Sequence, residues 1–202
     1  GRIYAIADAE ALAPRGLAES AFIMAQAGIL TIQLRAKRMA DDLLFAETER
    51  CLKLLEDWPG TLWIDDRVDL AMLLPLSGVH LGRGDLPAAA ARHLLPPAVR
   101  IGVSTHDDAQ LELADREPAA DWVALGPIFA TGSKRDPDPV VGLDRLKQLR
   151  SRTSKPLIAI GGVQRANVAA VLAAGADSVA VISAVCTGDI ERNCRELLCA
   201  AA

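Results

Sequence analysis

The 202-residue sequence has no basic run. Its 22 lysines and arginines stand against 26 acidic residues, for a formal net charge of −4. General nucleic-acid binding needs a cationic surface, so that class is excluded, although a few local cations can still hold a small anion. No apolar run approaches the ~20 residues of a membrane-spanning helix. No charged-then-apolar leader opens the chain, so a cytoplasmic protein is expected. Cys51, Cys186, Cys194 and Cys199 form no Cys-x-x-Cys pair, and His80, His93 and His106 do not cluster with them. Reduced, mostly buried thiols are therefore expected rather than a zinc or redox site. Linkers, composition shifts and low-complexity stretches are also missing. Residues 1–202 read as one domain with one substantial core.

What is present is an alternation of short apolar runs and amphipathic stretches. Strands are predicted at Ile3–Ala7, Leu30–Leu34, Thr61–Ile64, Gly78–Leu81, Arg100–Val103, Trp122–Leu125, Pro156–Ile160 and Ser178–Ile182. Helices are predicted at Leu17–Ala27, Asp41–Glu56, Val68–Leu74, from Pro87, at Asp107–Arg116, Leu143–Arg150, Arg165–Ala174 and Ile190–Cys199. Pro75 stops the third helix, Pro87 suits a first turn, and Asp107 is a plausible N-cap. The runs are β-branched and apolar on both faces, as parallel strands covered by helices are. Eight such units in so short a chain predict an α/β fold, a single (β/α)₈ TIM barrel, over an open doubly wound sheet.

In such a barrel the site is built at the carboxyl ends of the strands. Gln33, Arg35 and Lys37, spaced by two after strand two, suit an oxygen-rich anion. A solvated charge pair is the ordinary alternative. Asp65 and Asp66 follow strand three and Asp85 follows strand four. Carboxylates there fit an Mg²⁺ ion bridging protein to a diphosphate; otherwise Asp66 caps a helix and Asp85 closes a turn. After strand five, Ser104 can bond a substrate ring and His106 can carry a proton or be structural. No complete nucleophile-and-base set is evident. After strand six, Gly126-Pro127-Ile128-Phe129-Ala130-Thr131-Gly132-Ser133-Lys134 offers glycine amides, hydroxyls and an ammonium, as a phosphate site needs. A polar surface loop is the alternative, and the place after a strand end favours function. Gly161-Gly162 and Ser183 end strands seven and eight, where this fold frequently binds phosphate.

Several stretches in order resemble one family, thiamine phosphate synthase, with its relative thiazole tautomerase. They are Gln33–Lys37, Asp65–Ala71, Gly78–Gly82, Gly102–His106, Gly126–Lys134, Ala159–Gly162 and Val181–Ala184. The resemblance implies a transferase of thiamine biosynthesis. It joins a pyrimidine methyl diphosphate to a thiazole phosphate, with Mg²⁺ as cofactor and phosphorylated heterocycles as its only implied partners. Gln33, Leu34, Arg35, Ala36, Lys37, Asp65, Ser104 and Lys134 would then hold the pyrimidine diphosphate. Of these, Arg35, Lys37, Ser104 and Lys134 would be catalytic. Asp66 and Asp85 would hold the metal, and Thr131, Gly132, Ser133, Gly162, Ile182 and Ser183 the thiazole phosphate. The family usually has asparagine where this chain has Asp65, glutamine at Arg83 and threonine at Ser133; Asp65 adds a negative charge beside the expected diphosphate. Two other readings accompany the synthase: a tautomerase using His106, and a phosphate-binding barrel without catalysis.

Overall fold

Strand parity decides how the chain is layered. Successive side chains on a strand point to opposite faces, and in each run one set faces the helices while the other faces the barrel interior. A computed structural model describes residues 1–132 and 138–202. Its strands are β1 (Ile3–Asp8), β2 (Thr31–Arg35), β3 (Thr61–Asp65), β4 (Gly78–Leu81), β5 (Arg100–Thr105), β6 (Trp122–Leu125), β7 (Leu157–Ile160) and β8 (Ser178–Val181). The helices are α1 (Ala9–Leu12), α2 (Leu17–Gln26), α3 (Asp41–Leu54), α4 (Val68–Leu73), α5 (Ala88–Leu94), α6 (Asp108–Arg116), α7 (Leu143–Arg150), α8 (Val168–Ala173), α9 (Ser183–Cys186) and α10 (Ile190–Ala200).

The strands pair in parallel in chain order, and β1 returns to β8 with Tyr4 opposite Ala180, closing the barrel. The expected (β/α)₈ barrel is therefore found. Its outer core lies between strands and helices and includes Ile3, Ala5, Ile32, Leu34, Ile101, Val123 and Val179. Each such Ile or Leu, removed from water, contributes about 1.5–3 kcal/mol before entropy is counted. On α3, Leu44, Thr48 and Cys51 form the buried stripe, and the Thr48 hydroxyl is satisfied by donating to the Leu44 carbonyl, 2.7 Å away.

Inside the barrel a second core holds Tyr4, Ile6, Trp63, Trp122, Ala124, Ile158 and Ala180. Three aromatic rings fill space that aliphatic layers usually fill in this fold. They meet edge to face, Tyr4 to Trp122 at 5.4 Å and Trp63 to Trp122 at 5.6 Å between centroids.

Two departures from the expected boundaries bear on the site. Strands β1, β2, β3 and β5 run on to Asp8, Arg35, Asp65 and Thr105. The apolar run ends before the strand does, because the interior lane at the carboxyl rim is polar. Helices α1 and α9 span four residues each, about one turn, too short for a 3.6-residue period to register. Asp107 does cap α6, accepting from the Gln110 amide at 2.8 Å. Among the described residues, no helix is long and apolar enough to cross a membrane.

Candidate active site

The interior lane, followed toward the carboxyl ends, turns from aromatic to polar. On β2, Leu34 faces the helices while Gln33 and Arg35 face inward; on β3, Asp65 follows Trp63 on the same face. On β4 and β5 the same parity brings in His80 and Ser104. A cavity of about 230 Å³ opens above the rings, a size for small molecules rather than a polymer. It is lined by Gln33, Arg35, Lys37, Asp65, Asp66, Asp85, Ser104, Thr131, Gly162, Ile182 and Ser183. Those eleven sequence-predicted residues are thus brought together from all parts of the chain. Leu34 lies in the outer core, Ala36 packs against it, and Gly132 is exposed; none of the three lines the cavity. Ser133 and Lys134 lie outside the described residues.

A hydrogen-bonded chain rises from the core into the cavity. The Tyr4 hydroxyl donates to Gln33 Oε1 at 2.7 Å, and Gln33 Nε2 donates to Asp65 Oδ1 at 2.9 Å. Burial, and secondarily the Asp65 charge, push the Tyr4 phenol well above its ordinary value, so it stays a donor. Asp65 Oδ2 lies 3.1 Å from Lys37 Nζ and 3.4 Å from Arg35 Nε. Arg35 also pairs with Asp8, and Lys37 with Asp66. Asp8, unremarked in the sequence, ends β1 opposite Arg35 and caps α1 through the amides of Glu10 and Ala11. Its signal was available: an acid immediately after an apolar strand run.

Asp66 breaks the parity rule. Its φ is +62°, where a side chain other than glycine is uncommon. That turn swings the carboxylate from the strand's outer face into the cavity, at a cost of about 1–3 kcal/mol that surrounding contacts must offset. Capping is not its role, because α4 has Arg67 at its N-cap and no side-chain cap bond. Asp85 does close a turn, accepting from the Gly82 amide at 2.7 Å, while lining the cavity. No group of three or more His, Cys, Asp or Glu among the described residues could hold a metal alone.

Sequence spacing puts no histidine beside a serine, but the fold does. His80 Nε2 lies 2.8 Å from Ser104 Oγ, and its ring stacks on Trp122 at 4.8 Å. The pair spans adjacent strands 24 residues apart, a contact that sequence spacing hides. His106 Nδ1 lies 2.6 Å from the Gly126 carbonyl. A carbonyl only accepts, so the proton sits on Nδ1 and Nε2 faces Asp138 at 3.5 Å.

Gly161 and Gly162, at φ +96° and +65°, let the loop after β6 press against the end of β7. A Cβ on Gly161 would sit 2.5 Å from Pro127 Cβ, and one on Gly162 2.7 Å from Phe129 Cβ. The Ile128 and Phe129 amides bond the carbonyls of Ile160 and Gly161 at 2.9 and 3.0 Å. This seam holds the Gly126–Ala130 stretch, with Thr131 just beyond it, over the strand ends. Beside it, α9 opens at Ser183, whose hydroxyl accepts from Gln164 Nε2 at 3.0 Å.

A closed parallel barrel with carboxylates, cations, hydroxyls and glycine turns gathered around one cavity at the strand ends is a (β/α)₈ protein with a small-molecule site at that rim. Similarity to known proteins narrows this further. The family described as thiamine monophosphate synthase matches residues 3–185, and the chain belongs to that family. It is 43% identical to the thiamine-phosphate synthase of Koribacter versatilis, over 90% of this chain and 87% of the relative. With that of Methanoculleus marisnigri it shares 42%, over 96% and 92%. The solved thiamine phosphate pyrophosphorylase from Pyrococcus furiosus superposes with a TM-score of 0.88 at 29% identity, covering 99% and 95% of the two chains.

Proposed function

We propose that residues 1–202 act as one catalytic domain, a thiamine phosphate synthase. It is a transferase that joins 4-amino-2-methyl-5-(diphosphooxymethyl)pyrimidine to 4-methyl-5-(2-phosphoethyl)thiazole with release of diphosphate. The carrying observation is that Arg35, Lys37, Asp66, Asp85, Ser104, Thr131, Gly162 and Ser183 line one cavity, in a chain whose relatives carry that name.

The charge of the lining argues for a divalent cation. Among the described residues Arg35 and Lys37 face Asp65, Asp66, Asp85 and Asp138, a balance that repels a diphosphate. Two carboxylates plus phosphate oxygens make up the donor set Mg²⁺ accepts, so Asp66 and Asp85 fit the ion. Bound there, it would neutralise the charge of the leaving diphosphate.

The remaining work falls to the chain's own groups. The C–O bond of the pyrimidine methyl diphosphate breaks with its electron pair going to the diphosphate, and the thiazole nitrogen supplies a pair to the same carbon. Arg35 and Lys37 stabilise the oxygen that gains charge. Lys134 is proposed beside them from sequence alone. Ser104, oriented by His80, holds the pyrimidine ring. Thr131, Gly162 and Ser183, with Ile182 beneath them, hold the thiazole phosphate in line. Neither ring needs a protein nucleophile, so Ser104 is a positioning hydroxyl.

Purified protein with both substrates and Mg²⁺ should form thiamine phosphate, and EDTA should abolish the reaction. Bound substrates with no product would sink this reading. The placement of His106 also suits a thiazole tautomerase. A His106→Ala variant that still makes thiamine phosphate from the aromatic thiazole phosphate counts against that reading.

A further inference from the structure

We infer that Asp65 is a resident counter-anion: it holds Arg35 and Lys37 in the free protein, yields them to the incoming diphosphate, and then speeds product release. The inference rests on the synthase reading of this cavity. Each of the two cations is shared between two carboxylates, Arg35 between Asp8 and Asp65, Lys37 between Asp65 and Asp66. Asp8 is not among the residues that line the cavity, whereas Asp65 is, and Asp66 is the carboxylate assigned to the metal. Asp65 is therefore the carboxylate whose hold on the two cations an incoming diphosphate takes over.

Displaced from the cations, Asp65 stays where it is. Its Oδ1 is fixed by Gln33, which Tyr4 fixes from the buried core, and its side chain is only 9% exposed. The carboxylate thus remains against whatever anion takes Arg35 and Lys37. When the C–O bond breaks, the bridging oxygen becomes an anionic oxygen, so the product carries more charge than the same group in the substrate. Repulsion from a fixed carboxylate in a partly desolvated site is larger for the product. Asp65 therefore weakens substrate binding somewhat and product binding more.

Isothermal titration with inorganic pyrophosphate, with Mg²⁺ present, tests this on the folded wild type and on Asp65→Asn. The variant keeps the shape and an oxygen for Gln33 while removing the charge. It should bind pyrophosphate about tenfold tighter or more, after discounting for solvent screening. In steady state its inhibition constant for pyrophosphate should fall by more than its KM for the pyrimidine diphosphate, with the KM for the thiazole phosphate unmoved. Unchanged or weaker pyrophosphate binding overturns the inference, as does an equal fall in both constants. Asp65→Ser removes the charge with a smaller side chain and replaces the asparagine variant in both measurements if that variant melts early. The titration needs no turnover. A wild type that makes no thiamine phosphate refutes the synthase reading, while the titration still tests the hold of Asp65 on the two cations.

Discussion

Replacing Gly102 by alanine adds one methyl group against the aromatic packing inside the barrel. Gly102 faces inward on β5, and a Cβ there would lie 2.2 Å from both Cε2 and Cζ2 of Trp122. Ordinary contact begins near 3.4 Å, so the indole must retreat by more than 1 Å. It has nowhere to go: Trp122 is 6% exposed, wedged edge-on by Tyr4 and Trp63 and stacked on His80. The cost should sit at the upper end of the range for overpacked cores, about 3 kcal/mol. For a domain of this size that lowers Tm by roughly 6–12 °C. Because Trp122 supports His80, and His80 bonds Ser104, turnover should fall as well. Thermal melts by circular dichroism measure the first effect. Gly84→Ala serves as control, since its Cβ would meet nothing within 4 Å. Adding Trp122→Phe to Gly102→Ala should recover part of the loss, as residues in contact couple. A Gly102→Ala protein melting within about 1 °C of wild type would falsify this account of the interior.

Lys37→Ala should lower kcat/KM for the pyrimidine diphosphate by about 10²-fold with little change in the KM for the thiazole phosphate; a variant with wild-type kinetics removes Lys37 from the mechanism. The thiols are unpaired, with Cys51, Cys186 and Cys194 buried and Cys199 exposed. A thiol reagent on native protein should therefore modify one group quickly and three only on unfolding; four fast thiols contradict the packing. Burial pushes Cys51 and Cys194 up to about 12 and Cys186 up to about 11 from an ordinary 9.0. Above pH 9 the folded thiols keep protons that the unfolded chain has lost, so stability is whole below that value and falls as pH rises toward 11–12. Each thiol removes up to about 1.4 kcal/mol per pH unit in that window. Urea midpoints at about pH 8 and pH 10.5 should differ accordingly, and equal midpoints refute the burial argument.

Much of this protein is written locally. Parallel strands buried on both faces must be apolar, so runs such as Val123-Ala124-Leu125 identify themselves, and eight of them in 202 residues leave little besides a closed barrel. Strand ends follow from the same runs, which is why Arg35, Lys37, Asp66, Asp85, Ser104 and Ser183 are recognisable from the sequence as rim residues. The two four-residue helices were not legible, because one turn carries no period. Other features depend on which strands become neighbours, and closure alone decides that. His80 meets Ser104 only because β4 pairs with β5, and Asp8 meets Arg35 only because β1 pairs with β2. The left-handed turn at Asp66, which sends an outward-facing carboxylate into the cavity, is a backbone choice that residue type permits but does not dictate. The sequence by itself determined the layers and the chemical inventory of the rim, through side-chain alternation and burial. Only the tertiary structure decided that the Asp65 carboxylate sits on the two cations, because that contact joins the ends of two strands through a hydrogen-bonded chain rooted in the barrel core.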